Sequence, residues 1–515
     1  MTLTVTACRA SAPPCAAPRA PEVAVSYPTT RRDATVDTYH GRQVADAYRW
    51  LEDPDSPETS AWVQAQNEVT SRYLAQFPTR SAVRARLAAV WDYEKYGVPV
   101  RRGARIFFTY NPALLNQSPL YVIDAPGARE RLLLDPNTLS SDGTVSLNSI
   151  EISADGALVA YAISRSGSDW QEWLVRDVAS GRDLDDHLTW SKFSGASFDE
   201  SHAGFYYSAY DPPVSGATAL TGANYYHKLY YHRLGTSQQD DRLVYERRDE
   251  KEWGFEGRVT DDGHYLIIHV SRGTDPKNAL FYLDLTRADA KVTPLLAKFD
   301  ASYTFVGNQG SRLFLRTDAE APLGRLVAVD IKAPARSAWV AIIPEASETL
   351  ESVTYVGGRL IARYLADAHA EVRIFSLAGT LERRVPLPGL GSVAGFEGLA
   401  AESETYFSFT SFARPAALYR LEVASGTVTP FREPRLSFDP ASFETEQVFL
   451  ASKDGTRLPM FLSHKKGIVP SPCTPTYLYG YGGFDISITP WFSPSHLAWM
   501  QLGGVLAVAT LRGGG

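Results

Sequence analysis

The sequence predicts a mainly β protein in which a ring of sheet units, a β-propeller, separates an N-terminal helical segment from a short run of C-terminal strands. Three observations predict it. Short β-branched and aromatic runs recur in pairs after about Tyr93, each pair bounded by Gly, Asp or Asn turns. The pairs number about seven, at a spacing of roughly 45 to 60 residues that suits propeller blades. The pattern before them is helical, and the pattern after them changes again near Arg435.

The helical segment begins at Ser56, a capping residue followed by Pro57, which suits the first helical position. Trp62, Ala65, Val69, Tyr73 and Phe77 follow at helical spacing, so one apolar face is expected to be buried. Pro78 ends that helix. Thr79 is placed to cap a second one, with Val83, Leu87 and Trp91 on its inner side.

The β pairs follow in order. The first joins Arg105–Phe108 to Leu120–Ile123, the second Leu158–Tyr161 to Trp173–Val175, and the third Phe205–Tyr207 to Leu229–Tyr231. The fourth joins Tyr265–Ile268 to Leu280–Leu283 and the fifth Leu313–Leu315 to Leu326–Val329. Leu360–Ala362 with Val372–Phe375, and Tyr406–Phe409 with Leu418–Leu421, complete the series. One antiparallel sheet of this kind cannot bury both faces, whereas sheets packed around an axis bury each face on the next. A pair of β-sandwiches is the alternative reading.

In the C-terminal segment, Val448–Leu450 and Leu458–Leu462 flank a hairpin turn at Asp454-Gly455. Two continuous apolar runs follow, Thr476–Tyr479 leading into Gly480-Tyr481-Gly482-Gly483-Phe484 and Val505–Ala509 leading into Arg512-Gly513-Gly514-Gly515. This is how an α/β-hydrolase sheet opens. The chain is therefore divided into an irregular tail (1–26), a helical part of the hydrolase domain (27–92), a seven-bladed propeller (93–436) and the first strands of an incomplete α/β-hydrolase domain (437–515). With strands taken in chain order, the fourth is expected to be an exposed hydrophobic edge.

Composition excludes several functions. With 51 basic against 58 acidic residues and a net charge of -7, attraction to nucleic acid is not expected. No apolar run approaches the ~20 residues of a membrane-spanning helix. The three cysteines, Cys8, Cys15 and Cys473, cannot build a disulfide framework, so a reducing, cytoplasmic setting is expected. The N-terminal tail has the composition of either a transit peptide or a plain irregular tail.

An α/β-hydrolase nucleophile sits in Gly-x-Ser-x-Gly on the elbow after a later strand, and no serine here has glycine at both flanking positions. Without a partner serine, His464, His496 and the remaining histidines read as structural.

Ordered motifs along the chain resemble the prolyl oligopeptidase family of serine peptidases. Tyr48-Arg49-Trp50-Leu51-Glu52-Asp53-Pro54-Asp55-Ser56, Ser166-Gly167-Ser168-Asp169-Trp170 and Tyr230-Tyr231-His232-Arg233-Leu234-Gly235-Thr236 are similar to stretches of that family, as are the two C-terminal glycine loops. The resemblance runs from about Tyr27 to the last residue. It implies an endopeptidase acting on short peptides on the carboxyl side of proline, with a seven-bladed propeller over the catalytic domain, no cofactor and no metal. The family's Ser, Asp and His all lie beyond the point that matches Gly515, so the 515 residues by themselves are expected to be inactive.

The resemblance further implies that Tyr481 donates to the oxyanion, that Phe484 lines the proline pocket and that Phe193 faces substrate from the propeller. Asp485 stands where the family commonly has Asn, and Trp253-Gly254-Phe255 lacks a larger side chain that the family often offers. Short proline-containing peptides are the expected partners and a monomer the expected state. The alternative from another class is a non-catalytic propeller that serves as an interaction module.

Overall fold

The computed structural model describes residues 25–212 and 223–514, so most of the predicted tail, Cys8, Cys15 and Gly515 lie outside the described residues. The sequence signals act locally first. The Ser56 hydroxyl accepts from the Thr59 amide at 3.1 Å and Pro57 opens helix α1 (Pro57–Ala75), as the capping pattern predicts. Its apolar stripe from Trp62 to Phe77 is only half-buried, and Thr59 is the helix's one buried residue. Helix α2 (Arg80–Trp91) departs from expectation twice. Thr79 has helical backbone angles and makes no side-chain cap, and Val83 and Trp91 are exposed. The inward positions are Val90 and Leu87, because α2 rotates toward helix α3 (Pro494–Gln501), where Val90 meets Leu497 and Met500. The helical reading of 27–92 also missed a hairpin, Val36–Tyr39 with Arg42–Ala45. Its two-residue turn places His40 at φ 50° and Gly41 at φ 78°, the left-handed pair such a turn needs.

From Lys95 to Arg432 the chain forms successive antiparallel sheets. A five-stranded sheet (Lys95 to Leu134) is followed by a seven-stranded one (Val145 to Tyr245). Four four-stranded sheets then begin at Trp253, Tyr303, Thr349 and Ser392. The predicted pairs fall on strands of these sheets, but the second and third units are fused. The strand Arg182–Phe198 runs 17 residues and pairs with Gln171–Asp177 at one end and Gly204–Ala209 at the other, with a register break between Ser191 and Ala196.

Packing follows the chain. Phe314, Leu326 and Ala328 of one sheet interlock with Leu360, Ala362 and Tyr364 of the next, and similar buried clusters join each neighbouring pair. Such burial stabilises by roughly 25 cal/mol per Å² of apolar surface removed from water, which explains why these strands are continuous Val, Ile, Leu and Phe runs. The last and first sheets share no strand; Arg101 reaches Glu404 at 2.9 Å and Arg432 reaches Glu130 at 3.2 Å. This mainly β arrangement of four-stranded sheets is consistent with a β-propeller.

The C-terminal strands Phe443–Ala451, Arg457–Lys465, Thr476–Tyr479 and Val505–Ala509 form one mixed sheet in the order first, second, fourth, third. This corrects the expected edge. The crossover through α3 returns the chain between its second and third strands, so Val505–Val508 are buried and the edge is Thr476–Tyr479. On that edge Leu478 is 67% exposed. A Leu478→Lys substitution is expected to leave the thermal midpoint nearly unchanged, because surface changes stay within about 0.5 kcal/mol. It should slow self-association in light scattering at high concentration by charging an open edge, and unchanged scattering would count against the edge as the sticky surface.

Candidate functional site

Two glycine loops meet at the carboxyl ends of the parallel pair Thr476–Tyr479 and Val505–Ala509. The Asp485 amide donates to the Gly513 carbonyl at 3.1 Å. A methyl carbon at Gly513 would lie 2.6 Å from the Gly482 carbonyl oxygen, and one at Gly482 would lie 2.9 Å from Leu511 Cβ. Only hydrogen fits at either position, and both have positive φ (70° at Gly482, 86° at Gly513). The sequence folds this way locally because each strand ends in consecutive glycines, which let the two backbones approach.

On this interlocked base Phe484 (φ 54°) and Asp485 (φ 58°) are left-handed without being glycine, a conformation rare for bulky residues and concentrated at functional sites. Phe484 is 90% exposed and Tyr481 is 48% exposed, so an aromatic face and a hydroxyl both project from a braced loop. Arg512 pairs with Asp454 of the hairpin turn and lies 3.3 Å from the Ser452 hydroxyl, tying the strand-end loop to the rest of the sheet. The Asp454 carboxyl is pushed down to about 2 by the Thr456 amide and then by Arg512.

Phe193 stands elsewhere, in the register break of Arg182–Phe198, with φ 53° and 66% of its surface exposed. Lys192 Nζ lies 5.2 Å from its ring and 5.2 Å from that of Trp170, which meets Trp190 edge-on at 5.6 Å. The structure thus brings Tyr481 and Phe484 together in one loop and leaves Phe193 on a different sheet. Among the described residues no hydrogen bond or ring contact joins Phe193 to the other two.

His464 Nδ1 lies 3.1 Å from the Lys465 carbonyl, and His496 is sandwiched between Trp491 and Tyr477, where burial lowers its pKa. Among the described residues no group of three or more His, Cys, Asp or Glu side chains could hold a metal ion. What the site offers is one hydroxyl donor and an exposed aromatic face on a rigid loop, the equipment for stabilising an oxyanion and seating an apolar ring. Sequence reasoning missed two side chains that fix these elements in place, His227 beneath the Phe193 bulge and Glu94 in the neck below the sheets. Each sits between a tyrosine and a lysine, in Tyr226-His227-Lys228 and Tyr93-Glu94-Lys95, a local pattern that no spacing rule picks out.

Residues 27–434 match the family model described as the prolyl oligopeptidase N-terminal beta-propeller domain. A prolyl endopeptidase of Elizabethkingia meningoseptica is 40% identical over 493 residues, which are 95% of this chain and 69% of that relative. A solved prolyl endopeptidase superposes with a TM-score of 0.88 at 37% identity, over 95% of this chain and 72% of that one. Prolyl oligopeptidase B from Galerina marginata, solved with a 35-residue hydrolysis and macrocyclization substrate, gives a TM-score of 0.88 at 27% identity over the same shares.

Proposed function

Because the chain belongs to the prolyl oligopeptidase family, we propose that it is the propeller and the opening of the hydrolase domain of a serine endopeptidase that cuts short peptides after proline. In this reading residues 93–436 are a seven-bladed propeller, while 27–92 and 437–515 together begin an α/β-hydrolase domain behind the tail 1–26. The sheet order first, second, fourth, third with a parallel pair supports the hydrolase assignment, and the sheets fused through Arg182–Phe198, counted as two blades, bring the blade number to seven.

The interlocked glycine loop carries the functional reading. Tyr481 is the oxyanion donor in this reading, worth about 3 kcal/mol in the transition state when an attacking group is present. Phe484 lines the proline pocket and Phe193 faces the peptide from the propeller. The relative solved with a 35-residue substrate supports a peptide as the ligand class. No Gly-x-Ser-x-Gly elbow occurs in the 515 residues, so taken alone they supply half of an oxyanion hole without a nucleophile.

The test is a fluorogenic Gly-Pro peptide assay on the purified 515-residue chain. No hydrolysis above buffer is expected. Turnover blocked by a serine-reactive phosphonate would overturn the assignment of inactivity, and a full-length relative assayed in parallel shows that the substrate is competent.

A further inference from the structure

Around Phe193 the backbone is built into an unusual shape. Ser191 pairs with Ala209, yet the next paired residue is Ala196 with Tyr207, so the strand carries extra residues that bulge out of the ladder. Two bulky residues in this stretch are left-handed, Trp190 at φ 60° and Phe193 at φ 53°. Such conformations persist only where the surroundings over-determine them.

What over-determines them is His227. It is 2% exposed, and both ring nitrogens are engaged. The Phe255 amide lies 3.0 Å from Nδ1 and the Lys192 carbonyl 3.2 Å from Nε2. An amide can only donate and a carbonyl can only accept, so Nδ1 is bare and Nε2 carries the proton. The ring lies 4.6 Å from that of Tyr210, whose amide bonds the Trp190 carbonyl at 2.9 Å. One neutral imidazole therefore pins the peptide unit immediately before Phe193 to the neighbouring sheet. Burial pushes its pKa down to about 4, which keeps this tautomer in place at neutral pH.

We propose that His227 is the positioning residue for Phe193, holding the Lys192 carbonyl so that the Phe193 ring is presented to peptide. It acts through backbone and touches no substrate. The inference rests on the reading of Phe193 as a substrate-facing aromatic.

The experiment uses the full 515-residue chain in two arms. Hydrogen exchange over residues 191–196 is expected to rise about tenfold in His227→Ala, equivalent to ~1.4 kcal/mol of lost local protection. It should stay near wild type in His227→Gln, whose amide can both donate and accept. In the second arm, polarisation with a fluorescein-labelled octapeptide containing Ala-Gly-Pro compares H227A, F193A and the double variant. Each single change is expected to weaken binding severalfold, and the double no further than F193A, the non-additivity of groups acting as one unit.

Unchanged exchange at 191–196 in H227A, or losses that add in the double variant, would overturn the proposal. If wild type fails to bind the octapeptide, the substrate reading of Phe193 fails while the exchange arm still decides whether His227 holds the bulge. Should H227A not fold, His227→Asn, too short to span both partners, takes its place with the same two outcomes.

Discussion

Replacing His232 by alanine is expected to destabilise the protein by about 3–5 kcal/mol, the cost of breaking a buried ion pair by removing one partner. The ring is fully buried, with Nε2 at 2.9 Å from Asp186 and Nδ1 at 2.7 Å from Asp241, and both carboxylates are themselves almost inaccessible. Ionised carboxylates only accept, so both nitrogens must donate and the ring is an imidazolium. Tyr207 donates to Asp241 at 2.7 Å and the Gly235 amide donates to Asp186 at 2.6 Å. His232 thereby straps the strand Lys228–Arg233 to Arg182–Phe198 across the intervening strand Gly204–Ala209.

The pH dependence follows from the same geometry. Burial opposes ionisation of His232, but the hydrogen bonds it donates to Asp241 and then Asp186 outweigh it and raise its pKa above the usual histidine value. A raised folded pKa gives stability that is fully present below the unfolded value and lost as pH rises through the folded one. Urea denaturation should therefore separate wild type from His232→Asn most widely near pH 6 and progressively less at alkaline pH. Equal midpoints at pH 6 would refute the imidazolium strap.

The second large effect is expected at the neck, where the chain enters the sheets after α2 and leaves them before the C-terminal strands. Glu94, 7% exposed, accepts from the Arg435 amide at 2.9 Å and from its guanidinium at 2.7 and 3.0 Å, while Tyr110 donates to it at 3.0 Å. Lys95 caps the same crossing by donating to the Trp91, Tyr93 and Ala113 carbonyls at 3.1, 3.0 and 2.5 Å. One carboxylate thus ties together two segments 341 residues apart.

Arg435 is also a tryptic site, protected while its side chain and backbone are held. Glu94→Ala is expected to speed trypsin cleavage after Arg435 by about tenfold, because cleavage follows the population of the locally opened state. Burial works against ionisation of Glu94, yet Arg435 and Tyr110 together hold its pKa below the usual glutamate range. The sign is that of a depressed carboxyl, so the clamp is intact above the unfolded pKa and lost as pH falls through the folded one. Pulsed hydrogen exchange over residues 93–97 and 433–437 should rise on acidification below about pH 4 in wild type. Nicking at wild-type rates in Glu94→Ala would show that the neck does not depend on this pair.

The elements legible in the sequence share a physical origin. Strand positions such as Leu266–Ile268 or Leu313–Leu315 are buried on both faces, so their composition records their burial directly. The Ser56-Pro57 cap and the Asp454-Gly455 turn depend on backbone chemistry within a few residues, and both formed as read. Trp91 faces outward because the apolar periodicity of α2 leaves its rotation undetermined until α3 packs on Val90, whereas Thr79 makes no cap because its own backbone is already helical. In the C-terminal sheet, Val505–Ala509 gave the right strand in the wrong place, since chain order does not encode pairing order.

The functional residues divide the same way. By itself the sequence determined that Tyr481 and Phe484 share a glycine-rich strand end and that no serine elbow is present, because both are properties of contiguous residues. Only the tertiary structure decided that Gly482 and Gly513 interlock, that His227 props the Phe193 bulge, that His232 is an imidazolium and that Glu94 meets Arg435. Each of those depends on groups distant in sequence meeting inside a low-dielectric interior. There a hydrogen bond or charge pair gains its meaning from the partner that chain folding delivers.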